Sequence, residues 1–448
     1  MNNTSAVNNW EKSFNYLSNI LINKLKEGEY LVIQLKAEHS HFIRFNNAKV
    51  RQNGIVIDGQ VSLKLIANQK IAYASFPLTA DQKIDLENAL NNLDYLREQI
   101  SQIPEDPNIV LPKFQESSYE VYEGHLLSSV SAIEHIFPVA QDLDFTGLYA
   151  SGNIIRANYN SLGQKHWFAT ESFLLDYSLI NQDNKSIKGI ICDRTWNDEY
   201  YQAQIKEKKQ QLKQLNLPVR EIKPGQYRTY LAPDAMADLV NMFSWDAIGE
   251  SCLRQGGSPL GKMKQGVTLS PLFSLKENFH SGNVPRFNDF GEISALELPL
   301  IVQGKLINTL INSRTAKEYQ LLSNGANAQE KMRSPEVSIG TLPRSEILAS
   351  LDTGLYISNL HYLNWSDHHQ GKITGMTRYG CFWVEKGKIV ATIKDLRFDE
   401  SLYQIFGNKL INLTTFSENI PKVSTYGNRS LGGCVTPGAL IDHFTFTL

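Results

Sequence analysis

Cysteine is scarce in this chain of 448 residues: Cys192, Cys252, Cys381 and Cys434 stand far apart, with no Cys-x-x-Cys spacing. That excludes a zinc ribbon and a disulfide scaffold, and reduced, mostly buried thiols are expected. An excess of either charge is also missing. A net charge of −2 argues against a binder of duplex DNA that depends on many phosphate contacts. No apolar run approaches the roughly 18 residues of a membrane-spanning helix, and Met1 to Asn9 is polar, without a basic region leading into an apolar one. There is no internal repeat and no low-complexity tract. The expectation is a soluble, cytoplasmic protein with neither nucleic acid nor membrane as partner.

What is present is apolar material for more than one core. The length exceeds that at which a single core keeps growing, so two domains are expected, 1–220 and 221–448. Trp10, Phe14, Leu17 and Leu21 share one helical face, and Gly28 offers that helix an end. Tyr30 to Leu35, His41 to Phe45, Gly54 to Ile57 and Val61 to Ala67 read as short antiparallel strands separated by polar turns. Thr79 with Gln82 forms a capping box before a helix bearing Leu86, Leu90 and Leu93. After a surface connection containing Pro104, Pro107 and Pro112, a helix near Glu123 to Ile136 precedes more strands through Cys192. The lysine-rich helix from Asp198 to Leu215, closed by Pro218, reads as a solvated face.

Beyond Pro224 the chain alternates short strands and turns, among them 298–302, 305–311, 354–360, 381–384 and 388–393, with one helix from Asp234 to Ser251. The fold class is therefore α+β: an N-terminal α/β sandwich, then a twisted sheet or distorted β-barrel with a packed central helix.

Several clusters could carry chemistry, and each has a plainer reading. Asp246 and Glu250, four apart on the expected helix, would present two carboxylates on one face for acid–base work, or simply a solvated acidic pair, which is preferred. His361, Asp367, His368 and His369 crowd what reads as a loop before Gly371, but in no metal-ligand spacing. His39 and His41 share a strand face without a third ligand and read as surface residues. Cys252 with His280 lacks any nucleophile elbow. Gly249, Gly256, Gly257 and Gly261 around Ser258 and Pro259 lack the order of a phosphate-binding loop.

Other segments carry a resemblance spread over nearly the whole chain. These are Phe42 to Asn47 with Val50 to Gly54, Ala157 to Gly163, Pro224 to Tyr227, Leu239 to Glu250, Thr353 to Ile357, Gly371 to Gly380, Val384 to Ile389 and Lys394 to Phe398. Together they resemble the TldD/PmbA family, once called modulators of DNA gyrase. The resemblance implies that catalytic relatives carry a His-Glu-x-x-x-His helix which, with a late cysteine, binds zinc. Here Trp245 and Glu250 stand at the histidine positions and Asp246 at the glutamate position, and an indole nitrogen has no lone pair for a metal. The cysteine position falls near Thr425 to Gly427, with Cys434 too late to fill it.

The segment of Gly249, Gly256, Gly257 and Gly261 around Ser258 and Pro259 is similar to the serine- and glycine-rich stretch of the TldE/PmbA branch. This implies a chain that is not catalytic alone, holds no metal or cofactor, and pairs with a TldD-like zinc-bearing subunit, or with itself, around unfolded peptides. Gly371, Thr374, Gly375, Met376 and Arg378 are the expected peptide contacts, the glycines permitting close backbone approach for strand addition. The alternatives are a self-standing hydrolase built on Asp246, Glu250 or the 361–369 segment, and a homodimeric peptide-binding protein.

Overall fold

The computed structural model describes residues 3–113, 116–140, 142–423 and 428–447. Its N-terminal half runs α1 (Asn3–Asn23), β1 (Tyr30–Asn46), β2 (Lys49–Ala67), β3 (Lys70–Pro77), α2 (Gln82–Ile100), β4 (Ser118–Tyr122), α3 (Ser129–Ile136), β5 (Asp144–Asn160), β6 (Lys165–Ile180), β7 (Ser186–Asp193) and α4 (Asp198–Gln214). Among the described residues the strands form a seven-stranded sheet in the order β3-β2-β1-β5-β6-β4, with β7 beside β6.

Alternation along β1 explains the layering. Leu31, Ile33, Leu35 and Ala37 pack with Trp10, Phe14, Leu17 and Leu21 of α1 and with Leu93 and Leu96 of α2. Ile43 and Phe45, on the same face by the period of two, pack with Ile136 of α3 and with Ile205 and Leu212 of α4. All four helices therefore cover one face. The opposite face is polar and in part buried, and the short strands expected at 30–35 and 41–45 are one continuous strand. Gln34, Glu38 and Ser40 are shielded from water. The main-chain oxygen of Asp289 accepts from Gln34 Nε2 and Lys64 Nζ, both at 2.9 Å, and Glu38 Oε2 accepts from the Arg429 amide at 2.8 Å. A polar run that looks like a turn is a strand that meets the C-terminal half. The helix cap also differs from the expected box: Asp81, not Thr79, accepts from the Lys83 and Ile84 amides, while Thr79 donates to Asp85.

The C-terminal half contains β8 (Val219–Arg220), β9 (Gly225–Leu231), α5 (Pro233–Asn241), α6 (Glu250–Arg254), β10 (Leu275–Asn278), β11 (Glu297–Val302), β12 (Lys305–Leu306), β13 (Pro335–Val337), β14 (Gly354–Asp367), β15 (Lys372–Glu385), β16 (Lys388–Ile393), β17 (Arg397–Ser401), β18 (Leu410–Pro421) and β19 (Gly433–Phe446). These form a twelve-stranded sheet, and because β17 pairs with both β15 and β19, the path β19-β9-β14-β15-β17 closes on itself. A distorted barrel results, with Ala235, Met236, Leu239 and Val240 of α5 in its core. Among the described residues no helix is long and apolar enough to cross a membrane.

Candidate functional site

The helix expected from Asp234 to Ser251 is broken. Pro233 at its start presets the first turn of α5, which ends at Asn241 and continues as one tighter turn over Met242–Ser244. Trp245 then leaves helical geometry (φ −100°, ψ 87°) and Asp246 takes the left-handed region (φ 58°). Burial drives this break: Ala247 and Ile248 are drawn fully into the core while Trp245 is turned outward, 47% exposed. The Trp245 carbonyl accepts from the Trp365 indole at 2.8 Å.

Glu250 begins α6 and is 3% exposed, so Asp246 and Glu250 do not share a helical face. Its carboxylate accepts from Arg254 Nε (2.7 Å), Thr309 Oγ1 (2.7 Å) and Lys264 Nζ (3.3 Å). Burial opposes its charge, but the hydrogen bonds from Thr309 and Arg254 outweigh that and hold the carboxyl below its ordinary range. The residues at the motif positions thus do not fit zinc: an outward indole, a carboxylate in a strained turn, and a carboxylate already occupied. Among the described residues no three His, Cys, Asp or Glu side chains are grouped to hold a metal. The cysteine position near 425–427 lies outside the described residues, and Cys434 is a β19 thiol pushed well up by burial.

The break makes a clear prediction. The double variant Trp245→His/Glu250→His binds no zinc in equilibrium dialysis, because the two side chains leave different elements; one tightly held zinc per chain would contradict the geometry.

Other expected clusters also come apart. His361 and Asp367 lie on β14 rather than in a loop, with His368 and His369 in the hairpin turn that follows. His361 Nε2 accepts from Arg378 at 2.8 Å, and His368 Nδ1 lies 3.3 Å from the Gly257 carbonyl. His39 is buried, not a surface residue, 6.0 Å from His41 between ring centres. Cys252 lies against Gly257, while His280 faces Glu297 at 3.8 Å. Gly256 (φ 77°) ends α6, a structural use of that glycine-rich stretch.

The expected strand-addition edge is a correction. Over Lys372 to Met376, β15 is flanked by β14, with register shifts, on one side and by β17 on the other, so neither edge is open for a peptide strand to add. Gly375 is small because a Cβ would lie 2.7 Å from the Phe398 ring, and Gly371 (φ 60°) closes the hairpin turn. Of the expected contacts, Arg378 lines a cavity.

That cavity, about 470 Å³, lies between α5, β14, β15, β7 and the segments beside β18 and β19. Asp234, Asp238 and Asn241 line it at successive turns of one α5 face. Opposite stand Asn359, His361, Arg378 and Lys422. Burial, with Asp234 nearby, pushes the Asp238 carboxyl up to about 7, and burial pushes Asp234 up to about 6. His361 is lowered by burial and by the Arg378 charge. A carboxyl that exchanges its proton near neutrality can donate or accept a hydrogen bond to a peptide group. Two aspartates four apart in an otherwise apolar helix are the sequence signal for this wall.

With this geometry in place, the comparisons give the class. Residues 224–448 match the model described as the PmbA/TldA metallopeptidase C-terminal domain, a metallopeptidase-related class. That match spans half of the chain, and the protein belongs to the TldD/PmbA family. Among curated proteins there is no match. Solved structures of similar fold include a modulator of DNA gyrase from Bacteroides thetaiotaomicron (TM-score 0.77, 14% identity, 98% of each chain covered). TldE from Thermococcus kodakarensis (0.74, 13%) and a modulator of a DNA gyrase from Thermotoga maritima (0.73, 17%) each align over 98% of this chain and 100% of their own.

Proposed function

We propose that this chain is the non-catalytic, TldE-like subunit of a cytoplasmic TldD/TldE-type metalloprotease acting on unfolded peptides, with a histidine-bearing, zinc-holding relative supplying the chemistry. The observation that carries this reading is the occupied Glu250 carboxylate beside an outward Trp245 at the positions where the family resemblance places zinc ligands. The Thermococcus kodakarensis TldE fold supports it. In this reading the chain supplies chamber wall, and the cavity under α5, including Arg378, contacts peptide by side chains rather than by strand addition. The change of sheet between β7 and β8 supports two domains divided just before β8, close to the expected 1–220 and 221–448. A second reading, a self-standing hydrolase, draws on the Asp234 and Asp238 carboxyls in that cavity.

Affinity purification from the native source tests the pairing. The expected result is a TldD-like relative at equal stoichiometry, with transition metal only in the pair. A stoichiometric metal in the isolated chain, or no such relative in the purified material, counts against it.

A further inference from the structure

The cavity beneath α5 sorts charge by wall. On one side Asp234 and Asp238 stand one helical turn apart, roughly 6 Å along the axis, with Asn241 following on the same face. On the other stand Arg378 of β15 and Lys422, just beyond β18, with Asn359 of β14. Asp238 accepts a hydrogen bond from the Leu360 main chain, but neither aspartate forms an ion pair among the described residues. Lys188 of β7, which lines the same cavity, is paired with Asp176 instead. Arg378 donates to His361, an imidazole kept neutral by burial and by that same guanidinium. Asp395 lies within electrostatic range of Arg378 without an ion pair between them. Burial lowers the Lys422 ammonium, and it too forms no ion pair among the described residues.

Sheltered charges are ordinarily paired, because leaving them without a counter-charge is costly. Here the two sets face one another across an opening of about 470 Å³ instead of meeting. We propose that this cavity binds a short peptide with both ends free, its terminal ammonium on Asp234 and Asp238 and its terminal carboxylate on Arg378 and Lys422.

Charge excludes the simpler occupants. A metal cation would be attracted by the α5 wall and repelled by the other, and an anion would meet the reverse. A ligand carrying both charges, held apart, satisfies both walls. Arg378 supplies the planar fork of donors that matches a carboxylate. Asn241 and Asn359 each offer a donor and an acceptor, the two groups that a peptide bond presents between its ends. The volume lies in the range of roughly 300–1,000 Å³ usual for small-molecule sites. Peptides of this kind are what cleavage of a longer chain leaves behind. The inference therefore rests on the proposed function for the source of its ligand, and on the cavity alone for its chemistry.

Calorimetric titration of the isolated full chain with trialanine at neutral pH tests it. One trialanine per chain is expected. Acetylating its amino end or amidating its carboxyl end weakens binding at least tenfold in each case, the loss of one charge-assisted contact. Two variants separate the walls. Asp238→Asn removes the preference for a free amino end and keeps that for a free carboxylate, and Arg378→Gln does the reverse. A merely structural role would move all three ligands together. Asp234→Asn repeats the first half of the test from the neighbouring turn if Asp238→Asn fails to fold. No binding of trialanine at millimolar concentration overturns the proposal. So does equal binding of the capped peptides, which would assign the cavity to the interior of a longer chain. Free alanine bound as tightly as trialanine overturns it in favour of an amino acid. Because neither a partner subunit nor cleavage enters the titration, its failure leaves the proposed pairing untouched, and failure of the pairing leaves the binding result standing.

Discussion

Replacing Arg429 by alanine lowers the stability of this protein by about 3–5 kcal/mol, the range for uncoupling a buried, multiply bonded charge. Arg429 is 7% exposed and reaches from the C-terminal half into the polar face of the N-terminal sheet. Its guanidinium donates to the Gly152 carbonyl (3.2 Å), to the Ser172 carbonyl and hydroxyl (both 3.0 Å) and, more weakly, to Ser40 Oγ (3.4 Å). Burial pulls its pKa down to about 10, offset in part by Glu38, and leaves it charged at neutral pH. Truncation leaves two carbonyls without their charged donor and opens a void between the halves. Gly152 supports the same contact: at φ 139° a Cβ would lie 2.1 Å from the His39 carbonyl. Against a total stability of roughly 5–15 kcal/mol this loss is large. Urea midpoints of wild type, Arg429→Ala and Arg429→Lys measure it, with lysine recovering only part because it lacks the planar fork of donors. A loss under about 1 kcal/mol for alanine would show that the contact does not hold the halves together.

Asp238→Asn has the opposite sign, and its effect depends on pH. The Asp238 carboxyl has an ordinary value of 3.8 and is raised to about 7 in the folded chain by burial and by Asp234. Below 3.8 the folded and unfolded forms are both protonated, and the group contributes nothing. As pH rises from 3.8 to 7 the unfolded form releases its proton first, so stability falls, and the cost levels off above 7. A tenfold difference in proton affinity between the two forms is worth about 1.4 kcal/mol, which puts the cost on the order of 2–4 kcal/mol at pH 8. Asparagine cannot ionise. The variant therefore matches wild type at pH 4 and exceeds it by that amount at pH 8. Thermal or urea unfolding across this range reads the difference; a variant less stable than wild type at pH 8 but not at pH 4 would mean that the aspartate has a partner for its charge.

Hydrophobic period is the legible part of the fold. The stripe of Trp10, Phe14, Leu17 and Leu21 and the alternation of Leu31, Ile33 and Leu35 show their own burial, since helix and strand faces repeat locally. What is not legible is set by distant segments. Lys36 to Ser40 reads as a turn only until Arg429, nearly 400 positions later, covers Glu38 and Ser40. The helix from Asp234 stops early because Ala247 and Ile248 are pulled inward, and no propensity at Trp245 or Asp246 announces a left-handed turn. At the site, the identities of Trp245 and Glu250 are readable, but the saturation of Glu250 by Thr309 and Lys264 is not. Gly371 to Gly380 stands out by its glycines, whose cause is the Phe398 ring and the hairpin turn rather than a substrate. The spacing of Asp234 and Asp238 is plain in the sequence, but the cavity they line is closed by β7, β14 and β15, which no local pattern brings to α5.

The central claim is that this chain needs a partner for chemistry, and peptidase activity on an unfolded substrate tests it most directly. The assay uses this chain alone, the TldD-like relative alone and the two mixed, each with and without chelator. The account predicts no activity from this chain alone, and activity in the mixture that chelator abolishes. Chelator-resistant cleavage by this chain alone, lost in Asp238→Asn, would contradict it and place a working site beneath α5.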